Sequence, residues 1–98
     1  MLLHFASAGT ADIFHGVDSK AARKTCPQAV WKVARRKLDQ LNQAEQLDDL
    51  RSPPANRLEK LKGDRAGQYS IRINDQYRVT FAWTDRGPDQ IAILDYHR

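Results

Sequence analysis

The chain has 98 residues, carries a formal charge of +4 and is 41% apolar. That apolar share is too high for a disordered tail, and no apolar run approaches the ~20 residues of a membrane-spanning helix. One domain over residues 1–98 with one modest core is expected.

Met1-Leu2-Leu3-His4-Phe5 has no basic stretch followed by a long apolar one, so no secretory signal and no membrane partner are expected. Cys26 is the single cysteine. It has no internal partner for a disulfide or a zinc cluster, reads as a small buried thiol, and fits a reducing cytoplasmic setting. Net positive charge bears on partners rather than on fold, and in a domain this small it points to a polyanion, RNA or DNA first.

In chain order, Leu3 and Phe5 alternate with His4, which predicts a short strand over residues 2–6. Thr10 is a cap for a brief helix carrying Ile13 and Phe14 and stopping at Gly16. Residues 17–26 are polar and basic and read as a loop. Pro27 suits a helix start. From there Val30, Val33, Ala34, Leu38 and Leu41 recur at three- and four-residue steps and form one core-facing stripe. Lys32, Arg35, Arg36 and Lys37 fall largely on the other faces, as a solvated surface or a basic binding surface. Asn42 and Glu45 have capping-box spacing, which predicts a short helix over 43–50 with Leu47 and Leu50 inward. Pro53-Pro54 ends it.

The period then drops from about 3.6 to 2. Tyr69, Ile71 and Ile73 alternate with Ser70, Arg72 and Asn74, and Tyr77, Val79, Phe81 and Trp83 alternate with Arg78, Thr80 and Ala82. Asn74-Asp75-Gln76 is a hairpin turn between them. Residues 84–89 make a second turn and 90–96 a last strand. A further strand is expected near 57–61, although Leu58 and Leu61 have helical spacing. The fold class that follows is α+β, an antiparallel sheet packed on N-terminal helices. One sheet face carries the apolar stripes, with Trp83, Phe81 and Tyr77 as core. The other carries Ser70, Arg72, Arg78 and Thr80, polar enough to meet water or a phosphate chain.

Three stretches are distinctive together: Asn56-Arg57-Leu58-Glu59-Lys60-Leu61-Lys62-Gly63-Asp64-Arg65, Tyr69 through Val79, and Asp95-Tyr96-His97. With the opening Phe5 through Gly16, they resemble the HigB-type killer proteins of the RelE/ParE toxin superfamily. The resemblance covers nearly the whole chain and implies a RelE-like fold. It also implies ribosome-dependent cleavage of messenger RNA and neutralisation by a HigA-type antitoxin. Operator DNA would be bound only through the toxin–antitoxin complex. With no surplus apolar stripe, the free toxin is expected to be a monomer.

His4, His15 and His97 lack zinc-motif spacing, and no cofactor is expected. Cleavage without a metal uses the RNA 2′-hydroxyl as nucleophile, together with acid–base groups and cations. Position by position, the resemblance carries over Lys62, Arg78, Asp95, Tyr96 and His97. An unperturbed histidine has a pKa near ~6.5, which makes His97 the foremost acid–base group. Asp95 is an alternative base or a group that orients the histidine, and Tyr96 stacks on a base or assists proton transfer. Lys62, Arg65, Arg72 and Arg78 are phosphate partners. Lys32 and Arg36 join them as a second RNA-binding surface. Alternation through Ile91 and Ile93 places Asp95 and His97 on the core face and Tyr96 on the opposite one. Two alternatives stay open, a ParE-like gyrase poison and a degenerate toxin that acts as an autoregulatory corepressor.

Overall fold

The computed structural model describes residues 1–96, and in it three helices precede a sheet. Helix α1 spans Ala8–Phe14, α2 Lys20–Thr25 and α3 Gln28–Gln43. Ser7, not Thr10, caps α1: its Oγ accepts from the Thr10 amide at 3.1 Å. Thr10 lies fully buried one turn in, where its Oγ1 accepts from the Ile93 amide at 3.0 Å and fastens the helix to the sheet.

The stretch expected to be a loop over 17–26 contains α2. Ser19 caps it through the Ala22 amide at 3.0 Å, and Ala22 is its buried residue. A helix with one small apolar contact leaves no stripe to read. Its packing depends on Gly9, where a Cβ would come within 2.4 Å of the Ala21 carbonyl oxygen. Only glycine lets α1 and α2 approach that closely.

Pro27 is the cap residue of α3, and the predicted stripe faces inward: Ala34, Leu38 and Leu41 are fully buried. Burying each leucine contributes roughly 1.5–3 kcal/mol. Two cations placed on the outer faces are not there. Lys37 is only 9% exposed, and Arg35 is half-buried with Nε donating to the Ile13 carbonyl at 3.0 Å. The short helix expected at 43–50 is a 3-10 turn over Leu47–Arg51. Its N-terminal amides are met by Asp49, whose carboxylate accepts from Glu45 and Gln46, rather than by the Asn42/Glu45 pair. A second 3-10 turn covers Pro54–Asn56.

Strands β1 (Glu59–Lys60), β2 (Gln68–Arg72), β3 (Tyr77–Thr84) and β4 (Gly87–Asp95) form one antiparallel sheet in that order. The registers Tyr69↔Phe81, Ile71↔Val79 and Val79↔Ile93 put the alternating apolar residues on one face, against α3. Trp83 is half-buried against the same core. Asn74 builds the β2–β3 turn by accepting the Gln76 and Tyr77 amides on its Oδ1. The turn before β4 is tighter than expected, because Gly87 and Pro88 already pair with Thr84 and Trp83. A bulge interrupts the β3–β4 ladder between Thr80 and Ala82, beside Gln90 at φ 52.

The strand expected over 2–6 is reduced to one parallel bridge, Phe5↔Ile91. Its backbone still covers the outer edge of β4, through Leu3 N–H to Pro88 O at 2.9 Å and Ala6 N–H to Ile91 O at 2.7 Å. Among the described residues, no helix is long and apolar enough to cross a membrane.

Cys26 is 2% exposed, and burial pushes its thiol up to about 11. Two units above an ordinary thiol, the thiolate fraction at neutral to mildly alkaline pH falls about a hundredfold. Iodoacetamide at pH 8 should therefore label the native protein at least about a hundredfold more slowly than the urea-unfolded chain, read by mass spectrometry. Equal rates would contradict the buried placement.

Candidate active site

The second face of the sheet carries the residues that alternation assigns to it. Ser70 pairs with Thr80 and Arg72 with Arg78, and Glu59 of β1 lies opposite Ser70. This face is not the open polar surface expected. Ser70 is fully buried, Thr80 is 1% exposed and Arg78 is 7% exposed. The open part is a hollow of about 560 Å³ at the end of the sheet that holds the β2–β3 turn. Arg57, Glu59, Arg72, Asn74, Asp75, Gln76, Arg78 and Tyr96 line it.

Arg78 forms its floor. Nε donates to Ser70 Oγ at 2.8 Å, and Nη2 donates to the Arg57 carbonyl at 2.6 Å and to the Ser70 carbonyl at 3.4 Å. Burial presses the guanidinium below its ordinary range. Glu59 and Tyr96 act the other way, while Arg72 and Arg57 add to the depression. An arginine stays protonated regardless, so the hollow keeps a fixed positive charge. The Tyr96 ring covers it, with Cζ 5.6 Å from the ring centroid, within cation–π range.

Arg57 reaches this position through a left-handed backbone, φ 46 and ψ 58, at the end of the Pro54–Asn56 turn. That conformation costs a non-glycine residue about 1–2 kcal/mol. It turns the Arg57 carbonyl toward Arg78. Arg72 is tethered at the rim by Asp75.

Of the residues singled out in the sequence, Arg72, Arg78 and Tyr96 meet in the hollow. Asp95 does not line it. As alternation predicts, Asp95 lies in register with Tyr77 on the other side of the strand, where it accepts from Gln76 Nε2 at 3.1 Å. His97 lies outside the described residues. Lys62 and Arg65 bound a 3-10 turn at the other end of the β1–β2 hairpin, beyond Gln68 and roughly 13 Å along β2 from Arg72. Lys32 and Arg36 sit one turn apart on the exposed face of α3, and neither lines the hollow.

Sequence reasoning passed over Arg57 and Glu59. Both lie in the distinctive stretch 56–65, but a two-residue strand offers too little alternation to assign a face. The register Glu59↔Ser70 supplies it.

With this geometry in view, residues 3–97 match the sequence profile described as the RelE-like toxin of type II toxin–antitoxin system HigB. The chain belongs to the HigB-like toxins. It is 43% identical over 72 residues to Toxin HigB-1 of Vibrio cholerae serotype O1, covering 74% of this chain and 75% of that one. An uncharacterized protein of Haemophilus influenzae is 42% identical over 71 residues, 72% of this chain and 69% of the relative. In three dimensions this HigB-like chain resembles a chain of the YoeB–YefM complex from Staphylococcus aureus. The TM-score is 0.60 at 21% identity, over 100% of this chain and 99% of that one. At that identity the likeness is one of fold, and the fold is RelE-like: helices followed by an antiparallel sheet.

Ser70→Ala leaves Nε of Arg78 without its acceptor in a buried setting, which costs about 1–3 kcal/mol. A urea titration should show the midpoint falling accordingly with an unchanged slope. An unmoved midpoint would mean that the Ser70 bond does not support the arginine.

Proposed function

We propose that this HigB-like toxin is an endoribonuclease that cuts messenger RNA on the ribosome without a metal, through attack by the RNA's own 2′-hydroxyl. The observation that carries the reading is the convergence of three guanidinium-bearing residues, two carboxylates and one aromatic ring on a single hollow. Arg78, with Arg57 and Arg72 beside it, holds the scissile phosphate and the charge that grows on it. A preorganised donor of this kind contributes about 10²–10³-fold.

Asp75 is engaged by Arg72, which leaves Glu59 as the carboxylate available to take a proton. In the step proposed, the 2′-oxygen gives its proton to Glu59 and bonds to phosphorus. The bond from phosphorus to the 5′-oxygen breaks, and that oxygen takes a proton from His97. A 2′,3′-cyclic phosphate and a 5′-hydroxyl result. Asp95 orients His97, and Tyr96 offers its ring to a neighbouring base. Lys62 and Arg65 meet phosphates further along the strand.

The exposed cations Lys20, Arg23 and Lys24 of α2 and Lys32 and Arg36 of α3 form a surface suited to ribosomal RNA. A HigA-type antitoxin neutralises the free, monomeric toxin in the cytoplasm, and operator DNA is bound through their complex. Support for a protein partner comes from the S. aureus neighbour, whose structure is that of a complex with YefM.

The test is primer extension on ribosome-bound message with purified protein. Wild type should cut only translated message. Glu59→Gln and His97→Ala should each lose about 10²–10⁴-fold, the size of a general acid or base contribution. Arg78→Lys, which keeps charge but loses the fork, should lose about 10²–10³-fold. Inhibition of gyrase supercoiling without RNA cutting would replace this reading with that of a gyrase poison. Absence of growth arrest on induction, with tighter promoter binding beside an antitoxin, would replace it with a corepressor role.

A further inference from the structure

Lys37 is a buried cation that the cleavage reaction above does not use. It sits on α3 between Ala34, Leu38 and Leu41, 9% exposed, on the side that meets the core. Its Nζ donates to Asn56 Oδ1 at 2.7 Å, a neutral amide, and no carboxylate pairs with it among the described residues. An ammonium in such a place is costly, and an apolar side chain of similar length would fill the space without that cost. The charge calls for a use.

Asn56 supplies the connection. It is fully buried, and its Nδ2 donates to Gln40 Oε1 at 3.0 Å, Leu50 O at 3.1 Å and, more weakly, Ser52 O at 3.4 Å. With Lys37 on Oδ1, both ends of the amide are fixed. The next residue is Arg57, in its left-handed conformation, whose carbonyl holds Arg78 Nη2 at 2.6 Å. The chain of contacts thus runs from α3 through one asparagine to the floor of the hollow.

We propose that Lys37 is a positioning residue for the hollow: through Asn56 it sets the turn at Arg57 that aims Arg78. The inference rests on the reading of the hollow as a phosphate site, but the aim of Arg78 can be observed without any cleavage. Desolvation, with Arg36 and Arg72 nearby, holds the Lys37 ammonium below its ordinary range, consistent with a cation kept inside for its direction rather than for an ion pair.

The experiment uses the full chain and two readouts. The first is hydrogen exchange at the Arg78 Nε–H by nitrogen-resolved NMR, with the resonance assigned by its loss in Arg78→Lys. The second is affinity for a short RNA whose 2′-oxygens are methylated, which removes the nucleophile. Lys37→Met should speed exchange at Arg78 at least tenfold and weaken the RNA at least tenfold. Backbone amides of Val79 and Ile93 should stay protected. Lys37→Arg, which keeps a charged donor, should restore most of both. Lys60→Met, which removes an exposed cation of β1 outside this network, should move neither.

Unchanged Arg78 exchange in folded Lys37→Met overturns the proposal. If Lys37→Met does not fold, Lys37→Gln is read in its place by the same criteria. Failure of both to fold would assign Lys37 to fold stability alone and overturn it as well. If wild type fails to bind or cut RNA, the functional reading falls, while the exchange measurement still decides whether Lys37 aims Arg78.

Discussion

The structure turns on the burial of one guanidinium. Arg78 is 7% exposed and is held by a hydroxyl and two backbone carbonyls, with no carboxylate among its hydrogen-bond partners in the described residues. Taking a cation out of water costs several kcal/mol unless its donors are met, so each of these acceptors is a constraint on the chain around it. Ser70 must lie beside Arg78 on the neighbouring strand, which fixes the β2–β3 register. Arg57 must present its carbonyl inward, which fixes the left-handed turn before β1. Neutral acceptors direct the guanidinium without cancelling its charge. A salt bridge at the same place would direct it equally well but leave less positive field in the hollow.

The parts of this arrangement that come from strict alternation were legible in the sequence. The stripes Tyr69/Ile71/Ile73 and Tyr77/Val79/Phe81 place Arg72, Arg78, Ser70 and Thr80 on the other face, and the structure keeps them there. The same rule separates Tyr96 from Asp95, and only Tyr96 lines the hollow. The α3 stripe was equally plain because three buried apolar positions, Ala34, Leu38 and Leu41, share one side. Other parts left no periodic trace. Helix α2 buries one alanine and depends on the missing side chain of Gly9. The N-terminal strand has one bridge, too few residues for a pattern to be enforced. Lys37 reads as a solvent-facing cation by type, and only its tertiary partner Asn56 shows why it points inward. Arg57 and Glu59 were hidden for a related reason: their place depends on a backbone turn and a two-residue register.

Alternation also means that the core and the hollow share a backbone. Ile71 and Val79 face each other on the apolar side, and the adjacent cross-strand pair, Arg72 and Arg78, faces the hollow. The core is close-packed, so a shift on one face is transmitted to the other. Preorganisation of charged groups requires this rigidity, because donors that must rearrange at the moment of reaction lose most of their advantage.

The C-terminal end of β4 closes the hollow by the same logic. Beyond β4 the Tyr96 amide donates to the Gln76 carbonyl at 2.6 Å, which ties the C-terminal end of the strand to the β2–β3 turn. That bond holds the Tyr96 ring above Arg78, while Gln76 also reaches Asp95 from its side chain. The residue is thus clamped through main chain and neighbours rather than through its own ring. Placed in this way, Tyr96 remains 36% exposed. Its inner surface meets the guanidinium of Arg78 within cation–π range. Burial of Arg78, the turn at Arg57 and the clamp at Tyr96 are therefore three sides of one enclosure, and each depends on backbone groups supplied by a different strand end.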